Sequence, residues 1–192
     1  LSGDTRPHQP SARKAFPPIL GPRPQLLILG SMPGEASLRL AQYYGHPRNA
    51  FWPIMTALLA LPADADYARR ARGLTDNGIA LWDVIASCVR PGSLDSDIRA
   101  DSVQVNDFAA LFERCPGIGC IAFNGATAER EFRRRVLPGL AERLDAVQRL
   151  RLPSTSPAHA GLSFAAKLDA WRALDPWLRP QPGPDCGARR AE

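Results

Sequence analysis

Lysine is almost missing from this chain. Among its 24 basic residues only Lys14 and Lys167 are lysines, so arginine carries the net charge of +5 and the pI of about 9.4. A Schiff-base mechanism needs an amine nucleophile, and these two lie in the N-terminal tail and in the last expected helix. The 4 cysteines, Cys88, Cys115, Cys120 and Cys186, form no CxxC pair and no Cys/His spacing of a zinc or iron–sulfur site. Reduced thiols packed as small hydrophobes are expected, with no metal and no cofactor. No apolar run approaches the roughly 20 residues that cross a bilayer, and the opening LSGDTRPHQP lacks the apolar core of a signal peptide. The expectation is a cytoplasmic protein without a membrane partner. Neither GxGxxG nor GxxxxGK occurs, and GSMPG lacks the glycine pattern of a GxSxG nucleophile elbow. Covalent catalysis is therefore not expected.

The chain has 192 residues, 45% of them hydrophobic, which suits one domain with a real core. Residues 1–24 are rich in proline and polar groups and read as a lead-in that wraps or frays; residues 25–178 read as the domain and the Pro/Gly-rich residues 179–192 as a disordered tail. Strands are expected at 25–29, 79–85, 118–123 and 147–152. Helices are expected at 51–61, 67–74, 107–114 (capped by Asn106), 127–135 and 163–174. Strands alternating with helices imply an α/β fold, a three-layer α/β/α arrangement around a central, mainly parallel four-stranded sheet. Ligands in such folds bind beyond the carboxyl ends of the strands.

Those strand ends carry the unusual residues. The first strand stops at Gly30-Ser31-Met32-Pro33-Gly34, and the loop beyond it ends in Tyr43, Tyr44, His46, Arg48, Asn49, Phe51 and Trp52. The second strand brings Asp83 to its end, the third breaks at Asn124-Gly125, and the fourth runs into PSTSPAHAG. Turn amides, Asn49, Asp83, Asn124, loop serines and aromatic rings can hold a planar polar group and position a water. Arginine forks match phosphate geometry and stack on bases, so the basic excess leans toward a nucleic-acid partner.

The motifs GSMPGEASL, QYYGHPRNAFW, GIALWDVIASC, SLDSDIR, FNG and LPSTSPAHA, in this order, resemble the uracil-DNA-glycosylase superfamily, and within it the hypoxanthine-DNA glycosylases. The resemblance spans about residues 26–174. It implies a monomeric, monofunctional enzyme that hydrolyses the N-glycosidic bond of a deaminated base in DNA (hypoxanthine, uracil or xanthine) for base excision repair. Many relatives orient the water with an Asn or Asp in the first loop, where this chain has Met32. The hypoxanthine branch implies Asn49 instead, although Asn49 also suits a helix cap. The resemblance makes Tyr44 the ring that stacks on the flipped base; Tyr43 reads equally as core. Asp83, with the backbone of Gly30, Ser31 and Met32, is expected to read the base edge, or else to bond loop amides. Ser154, Thr155 and Ser156 resemble a wedge that grips the DNA backbone, and His159, Arg48 and His46 are candidate DNA contacts. Leu152 stands where other branches carry a leaving-group histidine, and His159, further along the loop, is the candidate to take over that role as an alternative to contacting DNA. Asn124-Gly125 reads as a helix cap, and Arg133, Arg134 and Arg135 as a solvated helix end. A non-catalytic nucleic-acid- or nucleotide-binding module is the alternative, since Met32 and Leu152 both replace polar groups.

Overall fold

The computed structural model describes residues 12–178. The expected disordered tail and the first part of the lead-in lie outside the described residues.

Four strands form the central parallel sheet, in the order β3-β2-β6-β7: β2 (Leu26–Gly30), β3 (Ile79–Asp83), β6 (Cys120–Asn124) and β7 (Gln148–Leu152). β2 and β3 are buried along their whole lengths. This is why LLILG and IALWD are continuous apolar runs rather than alternating ones. β7 lies at the sheet edge and is polar on most positions, with Arg149 and Arg151 exposed; charged edge residues discourage pairing with another chain.

Helices α2 (Phe51–Leu58), α3 (Tyr67–Asp76), α4 (Phe108–Arg114), α5 (Ala126–Arg135) and α6 (Phe164–Trp171) flank this sheet. The first falls short of the expected 51–61, since Ala60 takes a left-handed φ of 49°. The last starts on a Ser163 cap that accepts from the Ala166 N–H, and continues as a 3-10 turn over Arg172–Trp177. Asp66 caps α3 in the same way, accepting from Arg69.

Several expectations need correction. The second strand does not run unbroken to residue 85. It leaves the main sheet after Asp83, passes the buried Val84, and resumes as β4 (Ile85–Cys88) in a small antiparallel sheet of order β1-β4-β5, with β1 (Arg13–Lys14) and β5 (Gln104–Val105). The cap of α4 is Asp107, which accepts from Ala110, and not Asn106; Asn106 instead donates from Nδ2 to the Asp83 carbonyl. The connection after β2 is not all loop, because it holds a short helix, α1 (Glu35–Leu40). Arg135 is no solvated end: it bonds Glu131 at 2.8 Å and the Ala100 carbonyl at 2.8 Å.

The described part of the lead-in wraps. Ile19 exchanges two 2.9 Å backbone bonds with Leu81, extending the β3 edge. Trp82 Nε1 donates to the Phe16 carbonyl at 3.1 Å. The main core joins the sheet to α2, α4, α5 and α6, and a second, smaller core of Met32, Ile85 and Cys88 lies under the small sheet.

Candidate active site

Register brings the polar strand ends together. Gly30 pairs with Asp83 across β2 and β3, and Asn124 pairs with Leu152 across β6 and β7. All four strands therefore end on one side of the sheet, where a cavity of about 660 Å³ opens. Its lining includes Gly30, Ser31, Met32, Tyr44, His46, Asn49, Asp83, Asn124, Ser154, Thr155, Ser156 and His159. Of the candidate residues only Arg48 is missing from that wall; it is exposed on the neighbouring turn.

Gly30 is the floor. A Cβ there would collide with Asp83 Oδ1 and stand 2.9 Å from the Tyr44 hydroxyl. Only a residue without a side chain lets these two groups converge. Asp83 is buried at 3% exposure and its Oδ2 has no hydrogen-bond partner. Burial, then the negative charge of Asp95, push its carboxyl up to about 8, with Arg90 pulling weakly the other way.

Tyr44 adopts a left-handed φ of 53°, an arrangement that costs a non-glycine residue about 1–2 kcal/mol. Two bonds hold it there. The Ser37 hydroxyl accepts from the next residue's N–H, Gly45, at 3.0 Å, and Trp52 Nε1 donates to the Tyr43 carbonyl at 2.8 Å. The Tyr44 ring lies on Phe51 with centroids 4.0 Å apart and planes 25° from parallel. Its hydroxyl is buried without a partner. Asn124 is near enough to pull the Tyr44 pKa down slightly, but burial dominates and raises it. Tyr43 takes the core alternative: it is 3% exposed and its hydroxyl donates to the Pro17 carbonyl at 3.2 Å.

Asn49 is not the expected cap of α2: the cap position is Ala50, which has no side-chain cap, and Asn49 precedes it, its Oδ1 accepting from the Phe51 N–H at 3.0 Å in a turn that holds the amide at the cavity wall. That turn uses one lone pair of the oxygen, leaving another and the Nδ2 donors. Met32 is buried, with its side chain packed on Ile85 and Cys88. It has only backbone to offer the cavity.

The last loop is pinned from three sides. Asn124 Nδ2 donates to Thr155 Oγ1 and Thr155 N–H donates to Asn124 Oδ1, both at 2.8 Å. Asn124 is thus a clamp rather than the expected cap; the cap residue of α5 is Gly125, at φ 97°. Thr155, 1% exposed, faces this clamp and not the outside, so its share of the loop is anchoring. The Thr155 carbonyl also accepts from Ala50 N–H at 3.0 Å, tying the loop to the Asn49 turn. Trp171 Nε1 donates to the Pro153 carbonyl and Lys167 Nζ to the His159 carbonyl. Ser154 and Ser156 each accept from a backbone N–H two residues on, at 3.2 Å. Their hydroxyl protons stay free to donate. His159 is exposed at the cavity rim.

The segment 90–95 has no role expected from the sequence, where its only signal is the SLDSDIR motif, starting at Ser93. Arg90 is 1% exposed; its Nη2 donates to the Pro33 carbonyl and its Nη1 stands 3.7 Å from Asp95. Asp95 accepts the Ser31 hydroxyl at 2.8 Å, and Ser93 Oγ accepts from Glu35 N–H at 3.0 Å. The loop 30–34 is therefore strapped from outside by a buried guanidinium and its carboxylate. Thr127 and Arg151 complete the wall, Arg151 paired with Glu129 at 3.3 Å.

A parallel four-stranded sheet between helices, with its crevice at the strand ends and a glycine-floored cavity there, fits a sequence model of the uracil DNA glycosylase superfamily, which matches residues 17–175. The chain belongs to that superfamily. It is 39% identical over 117 residues to a hypoxanthine DNA glycosylase of Methanosarcina acetivorans, covering 60% of this chain and 73% of that protein. A hypoxanthine DNA glycosylase of Methanosarcina barkeri is 36% identical over 114 residues, covering 59% and 71%. The solution NMR structure of a candidate uracil DNA glycosylase from M. acetivorans superposes with a TM-score of 0.68 at 33% identity, covering 86% of this chain and 99% of that one.

Proposed function

We infer that this DNA glycosylase removes deaminated bases from DNA, hypoxanthine first among them, and leaves an abasic site. Superfamily membership and the activity named for both curated relatives support the class and the base. One observation of this chain carries the reading furthest. The Asp83 carboxyl, whose Oδ2 has no partner, and the unpartnered Tyr44 hydroxyl converge over a glycine, Oδ1 being the carboxyl oxygen nearest to it, in a cavity beside a stacked aromatic pair. Buried unpartnered polar groups are costly, and a ligand that bonds them accounts for their retention.

The bond to be cut is hidden in the duplex, so the nucleotide must leave the stack at a cost of a few kcal/mol. Tyr44 offers a ring face, the other being covered by Phe51, and stacking returns about 1–3 kcal/mol. Asp83 and the turn of Gly30, Ser31 and Met32 read the base edge. The leaving base departs through an oxocarbenium-like state, and Asn49 orients the water that captures the sugar carbon. No lysine of the described residues lines the cavity: Lys14 is in β1 and Lys167 bonds the His159 carbonyl. That supports hydrolysis without a covalent amine intermediate. Ser154 and Ser156 donate to phosphate from the rim, where His46 and His159 lie, and Arg48 reaches the backbone from beside it. Uracil and xanthine share the N–H and carbonyl edge of hypoxanthine and are secondary substrates.

The test is Asn49→Ala. It should bind hypoxanthine-containing DNA within a few-fold of the parent and lose about 10²-fold or more in single-turnover excision. Parental turnover would remove Asn49 from the mechanism.

A further inference from the structure

Asp83 and Asp95 line the cavity, Arg90 lies buried against the Pro33 carbonyl, and the charges of these three groups do not balance. Arg90 supplies a single positive charge, with its guanidinium wholly buried. Two carboxyl groups compete for it. Asp95 is the better placed: it is the one within ion-pair distance, and it also accepts the Ser31 hydroxyl. Asp83 has no ion pair among the described residues and no partner for Oδ2. The other titratable groups that face it, Tyr43 and Tyr44 from the loop before α2, are neutral phenols that bring no positive charge, their own pKa values being raised by burial and then by the Asp83 charge, and the nearby Asp95 opposes the ionisation of Asp83. An unpaired carboxylate in such a place is strongly disfavoured, and the group keeps its proton instead.

We propose that Asp83 meets the flipped base as a neutral carboxylic acid, donating its O–H to the exocyclic carbonyl oxygen and accepting from the adjacent ring N–H. The inference rests on the glycosylase reading above and extends it to the step that Leu152 leaves without a histidine. An ionised carboxylate can only accept, so it would serve the N–H and repel the carbonyl oxygen. The neutral acid serves both atoms of the lactam edge that deamination of adenine creates.

The consequence for the reaction is electrostatic. The C1′–N9 bond breaks and its electron pair passes to the purine, whose charge spreads onto the carbonyl oxygen. Water adds to C1′, forming the C1′–O bond of the abasic sugar and releasing one proton. The departing base takes up one proton, so the sum is glycoside plus water giving free base and abasic sugar. Asp83 keeps its own proton throughout, as a hydrogen-bond donor to the oxygen on which charge grows. Arg90, Asp95 and Ser31 act at one remove: Asp95, held by the Ser31 hydroxyl, engages Arg90, and among the described residues no second buried cation acts on Asp83, which stays protonated.

Single-turnover excision of hypoxanthine from a duplex, measured from pH 5.5 to 9.5, tests this with two variants. The parent should lose about tenfold per pH unit above a midpoint near 8. Asp83→Asn, which preserves one donor and one acceptor, should stay within about tenfold of the parent at pH 6 and show no such alkaline limb. Asp83→Ala should stay about 10²-fold below the parent's pH 6 rate and also show no alkaline limb, so that its deficit narrows above pH 8. Loss in Asp83→Asn as deep as in Asp83→Ala, or an alkaline limb that survives it, overturns the proposal. The proton is also read without catalysis, from the carbon-13 shift of the Asp83 carboxyl in the free protein. A midpoint below pH 5 overturns the proposal even if excision is normal. A midpoint near 8 together with no excision of hypoxanthine, uracil or xanthine at pH 6 overturns the glycosylase reading, and the substrate contact with it.

Discussion

Asn124→Ala should cost both stability and turnover, because Asn124 and Thr155 exchange two side-chain bonds at 2.8 Å in a corner where Thr155 is 1% exposed. A hydrogen bond of this kind contributes about 1 kcal/mol net, and a buried donor left unsatisfied costs about 1–3 kcal/mol. Truncating Asn124 strands the Thr155 N–H and hydroxyl together, so the expected loss is about 2–4 kcal/mol. Thr155→Val removes the hydroxyl and keeps the backbone bond, and should cost about 1 kcal/mol. The two losses should not add, and a double-mutant cycle should return a coupling of about 1 kcal/mol. Urea unfolding at constant m is the assay. The same change loosens the loop that, through the Thr155 carbonyl, holds the Ala50 N–H beside Asn49, so excision should fall more than the unfolded fraction explains. Asn124→Ala within 0.5 kcal/mol of the parent, or ΔΔG values that simply add, would refute this account of the clamp.

Tyr44→Phe deletes a buried hydroxyl that bonds nothing in the free protein and should leave unfolding free energy unchanged or raise it by up to about 1 kcal/mol. Tyr44→Ala should weaken hypoxanthine-DNA affinity by about 1–3 kcal/mol in a titration; unaltered affinity would contradict the stacking role. Asp83 ties stability to pH. Its carboxyl, raised from 3.8 to about 8, holds in the folded state a proton that the unfolded chain releases, so its contribution is full below pH 4 and is lost as pH rises toward 8. At about 1.4 kcal/mol per pH unit the loss by pH 7 has an upper bound of about 4 kcal/mol. Urea midpoints of the parent should therefore fall relative to Asp83→Asn between pH 5 and 8, and parallel curves would refute the raised pKa.

Much of this protein is legible in the residues. Apolar runs such as LLIL and IALW stand out because strands buried on both faces favour apolar side chains, and the residues that follow them, Gly30 and Asp83, mark the crevice. The β3–β4 break was hidden, because Val84 and Ile85 are as apolar as the strand before them; only the pairing of β4 with β1 and β5 separates the two. Asn106 and Asn124 both looked like caps. An amide beside a helix start suits capping locally, whereas their partners, Asp83 and Thr155, are 23 and 31 residues away and depend on tertiary placement. Arg90 was unreadable for the same reason. A lone arginine in a polar loop looks solvated until Pro33 and Asp95 close around it. The cavity residues themselves, apart from Arg48, lie where the order of the strand ends led us to expect them.

The central claim is excision of a deaminated base, and a panel of duplexes tests it most directly. Each carries one hypoxanthine, uracil, xanthine or undamaged adenine, and alkaline cleavage at abasic sites is followed after incubation with the protein at pH 6. The account expects strand breaks at hypoxanthine above all, weaker ones at uracil or xanthine, and none at adenine. Salt-sensitive binding to all four duplexes with no abasic product from any of them would contradict it.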